Sequence, residues 1–335
     1  MIQTNDIIIS IVVICKNEEG KILKCLNSIF HCLEISDFKF EVILVDSNST
    51  DRTIEKAINQ YSHNPFLHIY QITEADLFSA SLGRYVGLHK SKGKYILFLD
   101  GDMELEDQFL PQAILKLENS PESCVGIIGI RNDILTKENN QMKISNVYNT
   151  TIEKRAAHFG GALLIERKIL DEVGGHNPNL ISNEEPELYL RLIERNYYIK
   201  EIPIEMINHY DKKIDINDKI KALFSKRSLG IGQCIKASLL RKSFSPLFQH
   251  NQIKQFIIPI LFDIVSVFTF ILYLVNGQVL FLFLTVLLQI LNAVICTTLY
   301  KSSKFILSKV FLIPTIIALI NFKNTTQHFI VKKIQ

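Results

Sequence analysis

Lys94-Tyr95-Ile96-Leu97-Phe98-Leu99-Asp100-Gly101-Asp102-Met103-Glu104 is the stretch whose reading decides the fold. Large apolar residues run unbroken from Tyr95 to Leu99, as in a central parallel strand buried on both faces. The sequence then turns acidic with no polar run-in, so two carboxylates emerge where the strand ends. Open α/β sheets bind ligands outside the carboxyl ends of their strands. An Asp-Gly-Asp there can bring two carboxylates to one hard cation, the glycine letting backbone and phosphate oxygens come close. A metal and diphosphate site is the expectation, and a plain turn built on the same Asp-Gly pair is the alternative. An EF-hand calcium loop is disfavoured because Leu105 stands where that loop needs glycine.

Upstream, Ile7 to Cys15 is a β-branched run followed by the polar Lys16-Asn17-Glu18-Glu19-Gly20. Ile22, Leu23, Leu26, Ile29, Phe30 and Leu33 then recur at helical spacing. Phe40 to Val45 repeats the pattern, leading through Asp46-Ser47-Asn48-Ser49-Thr50-Asp51 to a helix from Thr53 to Tyr61. Phe66 to Ile72 predicts a third strand, Ala75 to His89 a third helix, and Gln108 to Leu117 a helix behind the opening strand. Such alternation implies a mostly parallel sheet covered on both faces. It places Cys15 to Glu19, Asp46 to Asp51 and Asp100 to Asp102 on one edge. Asp46 alone would serve as a helix N-cap, but the three loops together favour a nucleotide pocket.

Downstream, Val125 to Ile130 reads as an edge strand, and residues 131–158 are polar and without assignment, taken as an acceptor-side excursion. His158 to Ile165 is a small-residue turn leading into a strand, and Ile169 to Val173 is a helix closed by Gly174-Gly175. Ser182-Asn183-Glu184-Glu185-Pro186-Glu187 starts a helix, with Ser182 or Asn183 as cap and its acids favoured by the helix dipole. Arg191 is spaced to pair with Glu187 or Glu184. Asn196 to Pro203 predicts a strand ending at the proline.

Taken as a set, Ser10-Ile-Val-Val-Ile-Cys-Lys-Asn-Glu-Glu19, Val45-Asp-Ser-Asn-Ser-Thr-Asp-Arg-Thr53, Gly83-Arg-Tyr-Val-Gly87, Gly93 to Asp102, Gly160-Gly161 and Glu184-Glu185 resembles the family 2 glycosyltransferases in motif, order and separation. The resemblance spans roughly residues 7 to 210. It implies a GT-A fold, a nucleotide-sugar donor and an inverting transfer. By the same resemblance the backbone of Cys15 and Lys16, with Glu18, lies beside the nucleoside, and Asp46 meets the base or ribose. Arg84 would stand near the diphosphate, with Tyr85 where the family has asparagine. Asp100, with Gly101 beside it, would face the ribose or a divalent metal (Mn2+ or Mg2+). Asp102 would coordinate that ion where it bridges the phosphates, and His209 matches a histidine presented to the metal or diphosphate. Glu185 best matches the base that takes the acceptor's proton, where the family carries aspartate, and Glu184 beside it is the alternative.

Composition changes along the chain. From Phe256 to Gln335 there are six lysines and one aspartate, a formal +5, whereas the chain as a whole is only +3. The near-neutral N-terminal part gives no reason to expect nucleic-acid binding. Six cysteines without a CxxC pair suggest reduced thiols facing a cytosol, and the N-terminal apolar run reads as strand and not as a signal peptide.

The expected division is a GT-A domain over 1–211, a basic amphipathic region over 212–254, and a membrane domain over 255–335. The middle region carries ten basic and two acidic residues among apolar ones at helical spacing, suited to anionic lipid head groups. Residues 256–275 and 279–299 are long enough to span a bilayer, and 305–322 is a third segment that Lys309 and Pro314 weaken. Lys236 to Lys254 before the first span and Lys301 with Lys304 after the second favour a multi-pass protein of the cell membrane with a cytoplasmic catalytic domain. Asp263 inside a span is expensive and marks a site.

The sequence thus predicts a metal-dependent inverting glycosyltransferase acting on a lipid-linked or cell-envelope saccharide acceptor. A polyprenyl-phosphate monoglycosyltransferase is the enzyme alternative, and a noncatalytic nucleotide-sugar-binding assembly subunit the alternative of another class. A nucleotidyltransferase is disfavoured because no glycine-rich basic pyrophosphate loop is present.

Overall fold

The computed structural model describes residues 8–36, 38–137, 140–145, 149–211, 221, 224–300 and 303–335. Strand β1 (Ile9–Cys15) is buried at every residue, and α1 (Ile22–Glu34) adds Ile22, Leu26, Ile29 and Leu33 to the same core. Strand β2 (Phe40–Asp46), α2 (Thr53–Tyr61), β3 (Leu67–Ala75), α3 (Ala80–Lys90) and β4 (Tyr95–Asp100) continue the alternation. β1 lies between β2 and β4, parallel to both, and β3 is parallel to β2. The register sets Cys15 opposite Asp46 and Ile14 opposite Asp100, so the three polar turns leave the sheet at one edge.

Beyond β4 the sheet becomes mixed. β5 (Met103–Leu105), α4 (Phe109–Glu118), β6 (Cys124–Lys137), β7 (Asn140–Ser145), β8 (Lys154–Arg155), β9 (Leu163–Glu166), α5 (Arg167–Val173), α6 (Glu184–Glu194) and β10 (Tyr198–Asp211) follow in order. β9 runs antiparallel between β4 and β6, β10 is parallel to β6, and β5 closes antiparallel on β10. Part of the polar stretch left without assignment from sequence extends β6 and folds back as β7.

The strand expected to stop at Pro203 instead continues to Asp211. Proline has no N–H to give to a ladder, and the pairing with β6 steps from Glu201 to Glu205, so a bulge absorbs Pro203 and the strand resumes. Its resumed half carries His209.

Residues 216–324 form a second compact unit. It holds a 3₁₀ turn (Lys226–Leu229), α7 (Gly230–Leu240), α8 (Ser245–Gln249), α9 (Asn251–Asn276), α10 (Val279–Leu299) and α11 (Ser303–Asn321). α9, α10 and α11 are each long and apolar enough to cross a membrane, with mean hydropathies of 2.4, 2.6 and 1.9. Their small and polar residues turn inward while large apolar ones face out, as lipid-facing helices do. Asp263, which the sequence marks as a site residue, is 2% exposed and ties all three helices together. Gln289 and Asn292 donate to it at 3.2 and 3.1 Å, Ser308 at 2.7 Å, and Lys309 forms an ion pair with it.

Finally, β11 (Phe329–Lys333) returns to the first unit and pairs antiparallel with β3, so that unit comprises residues 1–215 and 325–335. This strand was not expected from the sequence.

Candidate functional site

The acidic turn after β4 is shaped by its neighbours. Gly101 donates its N–H to the Ile14 carbonyl at 2.8 Å, and a Cβ on it would fall 2.9 Å from the Cβ of Cys15. Close packing on β1 alone therefore requires the glycine. On either side, the two aspartates turn to different partners.

Asp100 faces Arg84, a fully buried guanidinium on α3 whose N-terminus is capped by the Ser79 hydroxyl. Arg84 donates to Asp100 Oδ1 at 2.7 Å and to Glu184 Oε1 at 2.8 Å, and stands 3.4 Å from Glu185 Oε1. One cation thus joins the end of β4 to the start of α6. Gly161 lies on this pair so closely that a Cβ would sit 2.7 Å from the Arg84 guanidinium. Arg84 was expected near a diphosphate, and it is instead engaged by carboxylates of the chain itself.

Asn183 stands at the N-cap position of α6 but its side chain does not cap the helix. Asn183 adopts a left-handed conformation with φ 61° and donates its amide to the Ser182 hydroxyl. The three acids of the first turn take the place of a cap electrostatically. Glu187 is paired with Arg191 at 2.7 Å, one of the two pairings the spacing allows. That leaves Glu184 and Glu185 to Arg84. Burial, with the like charge of Glu184, raises the Glu185 pKa to about 7.

Asp102 turns the other way. Its Oδ2 lies 3.3 Å from His209 Nε2 and 3.4 Å from Lys21 Nζ. Nδ1 of His209 is 3.1 Å from Asp133 Oδ1 and 2.8 Å from an Arg131 guanidinium nitrogen. Burial opposes charge on both members of the Asp102–His209 pair, yet their mutual hydrogen bond holds the carboxyl below its ordinary pKa and the imidazole above its own. No cluster of three metal-ligating side chains occurs among the described residues, and Asp100 is held by Arg84. Asp102 and His209 could offer one oxygen and one nitrogen to a divalent cation, a set that phosphate oxygens and water complete for Mg2+ or Mn2+. A small crevice lies between Gly129, Arg131, Gly160, Gly161, Ala162 and Met206.

The loops expected around a nucleoside are stitched to one another. Asn17 and Asn48 are left-handed, with φ 57° and 63°. Asn17 Oδ1 accepts from Thr50 N at 2.9 Å, Glu18 N donates to the Thr53 hydroxyl at 2.8 Å, and Glu19 N to Asp51 at 3.1 Å. Lys16 is exposed, over the Phe78 ring at 5.1 Å. Cys15 is buried, and its thiol is pushed well up by burial and by Asp46. Asp46 departs from expectation. It has no exposed surface, and its carboxylate accepts from Ser49 N at 3.0 Å, the Ser49 hydroxyl, Gln71 Nε2 at 2.9 Å and the Cys15 thiol at 3.7 Å. It organises its own turn and presents no free oxygen to a base or ribose.

Tyr85, at the family's asparagine position, packs against His89 and Phe329. Lys21, Arg131 and Asp133 join the site without having been singled out from sequence. Only Lys21, next to the polar loop after β1, carried a signal of position.

The pattern of glycosyl transferase family 2 matches residues 10–176. Glycosyltransferase AglE of Haloferax volcanii is 26% identical over 200 residues, which are 56% of this chain and 62% of that protein. Dolichol-phosphate mannosyltransferase of Pyrococcus furiosus is 25% identical over 118 residues, 35% of this chain and 32% of that one. The chain therefore spans less than two thirds of either relative. The crystal structure of GalNAc-T7 with UDP, GalNAc and Mn2+ superposes with a TM-score of 0.50 at 15% identity, over 62% of this chain and 45% of that one, a likeness of fold. The motifs, the mixed sheet with its acidic turn at one edge and the family match agree, and the chain belongs to glycosyl transferase family 2.

Proposed function

We propose that this protein transfers a sugar, with inversion, from a nucleotide-sugar donor to an acceptor carried at the membrane, lipid-linked or saccharide. The observation that carries the reading is the buried Arg84, which holds Asp100 of the β4 turn and Glu184 of α6 in one cluster. Such a cluster puts a donor-side acid and a base-side acid within reach of one substrate.

Of the two glutamates, Glu184 is committed to Arg84, while Glu185 is farther from the guanidinium and burial raises its own pKa to about 7. Glu185 is then the base: it takes the proton of the acceptor hydroxyl as that oxygen bonds to the anomeric carbon and the nucleoside diphosphate departs. Asp102 and His209 would hold a Mn2+ or Mg2+ ion, which when bound offsets the charge on the departing diphosphate. Asp100, fixed by Arg84, lines the same edge for the ribose or the ion, and the main chain at Cys15 and Lys16 with Glu18 borders the nucleoside. The basic flank before α9 favours a cytoplasmic catalytic unit.

A second reading is favoured by the similarity to a dolichol-phosphate mannosyltransferase together with the three apolar helices. In it the acceptor is a polyprenyl phosphate, already ionised, and Glu185 positions it without taking a proton. Membranes carrying the protein, incubated with labelled nucleotide sugars and then treated with mild acid, separate the two. Label that stays acid-stable, or is released as part of an oligosaccharide, supports a new glycosidic bond, and label released as the free monosaccharide supports the phosphate acceptor. Asp102→Asn should abolish labelling without unfolding the chain. Labelling undiminished in that variant, or no labelling by the unaltered chain from any donor that shifts its melting temperature, would sink the catalytic reading.

A further inference from the structure

Residues 1–215 and 325–335 belong to one folded unit, and this fixes a parity. β11 is bonded to β3 along its length, from Phe329 opposite Ala75 to Lys333 opposite Tyr70. Beyond it, Ile334 N donates to the Ile69 carbonyl at 2.8 Å, and before it Gln327 donates to the Pro178 carbonyl at 2.6 Å. Strands bonded in one sheet lie on one side of a bilayer. The chain must therefore leave that side and come back to it, which takes an even number of crossings. Three helices have the length and hydropathy to cross, and three crossings would leave 325–335 on the wrong side.

We propose that α11 does not cross. It lies along the membrane face on the side of the sheet, its isoleucine stripe in the acyl boundary of that leaflet, while α9 and α10 form a two-crossing hairpin. α11 is the shortest and least apolar of the three and carries Lys304, Lys309 and Pro314.

Its contacts within the second unit agree. α9 and α10 pair antiparallel over much of their length, with Asn292 on Pro259 and Thr285 on Thr269. The side-chain contacts of α11 with α9 fall in the first half of α9, where Phe311 and Lys304 meet Phe256 and Ser308 and Lys309 meet Asp263. Farther on, α11 leaves α9 and packs on α7, where a Cβ on Gly232 would lie 2.8 Å from Thr315 Cα. Since α7 precedes the first crossing, the end of α11 sits on the near side.

Ser308, Thr315 and Ala318 face inward, while Ile306, Ile313 and Ile320 are about two-thirds or more exposed at 67%, 66% and 73%. The face that α11 leaves open is therefore the apolar one, as contact with the acyl boundary requires.

The test is side-specific labelling of the full chain with a membrane-impermeant maleimide, from each face of sealed vesicles. The native cysteines are all buried. Glu122→Cys on the sheet unit, Gln278→Cys between α9 and α10, and Lys323→Cys after α11 are each placed at an exposed position. Glu122→Cys and Lys323→Cys should react from one face and Gln278→Cys from the other. Reaction of Lys323→Cys from the face that labels Gln278→Cys would overturn the proposal, as would reaction of all three from one face. Spin labels at Ile306, Ile313 and Ile320 give a second readout that tolerates a weakened fold. Equal, shallow depths of roughly 5–10 Å are expected, and a depth that peaks at Ile313 would mean that α11 spans.

Discussion

Arg84 is the residue on which most of the site depends. Deprived of it, Asp100, Glu184 and Glu185 would share a buried space as like charges. Arg84→Ala should therefore cost about 3–5 kcal/mol of stability, measured by denaturant unfolding of the protein in detergent. Glu185→Gln is nearly isosteric, and if Glu185 is the base it lowers kcat by about 10²–10⁴-fold with the fold intact. The raised pKa has a definite sign. A base must be ionised, and one that holds its proton up to about pH 7 makes kcat/KM fall as pH drops through neutrality and not through the ordinary carboxylate range. A flat kcat/KM between pH 5 and 8 would count against Glu185. Both acid clusters were legible because each is local in sequence, a strand end and a helix start. Arg84's role was not, since its partners lie 16 and 100 positions away and no spacing rule joins them. Asp46 misled for the converse reason: an acid at a strand end suits a ligand, and only the fold reveals that Ser49 and Gln71 already fill it.

Among elements, two departures from the sequence reading bear most on the site and the topology, and both concern strands. Pro203 is a good stop signal for a strand, and it failed because a bulge let the neighbours resume the ladder beyond it. Without that resumption, His209 would not reach Asp102. β11 gave no local sign of a partner some 250 residues earlier, and its short Phe-Ile-Val-Lys-Lys run merged into the apolar tail before it. Removing residues 325–335 should lower the melting temperature by roughly 5–10 °C, because several ladder hydrogen bonds worth about 1 kcal/mol each are lost. It should also promote self-association, as β3 becomes a bare edge. An unchanged melting curve would argue that β11 does not dock in solution. The parallel half of the sheet, by contrast, was readable strand by strand, since uninterrupted apolar runs between polar loops leave little else for the chain to be.

At the scale of the molecule, the Asp263 hub and the returning strand decide how the apolar region is organised. Lys309→Met strands a carboxylate among three apolar helices, whereas Lys309→Met with Asp263→Leu removes both charges. The single variant should be markedly less stable in detergent than the double one, since an unpaired buried charge costs more than a well-packed apolar replacement. The opposite order would mean that the pair is solvated. Hydropathy alone found the three helices but could not count crossings, because crossing number is a property of where the chain goes next. The edge position of β11 also sets an order of events in the making of the protein. Polypeptides are made from the amino terminus and tend to fold domain by domain as they emerge, yet here the sheet's outer strand is synthesised only after all three apolar helices. In the topology proposed above, the nascent chain commits α9 and α10 to the bilayer while its own sheet is still one strand short, so insertion would precede completion of the sheet.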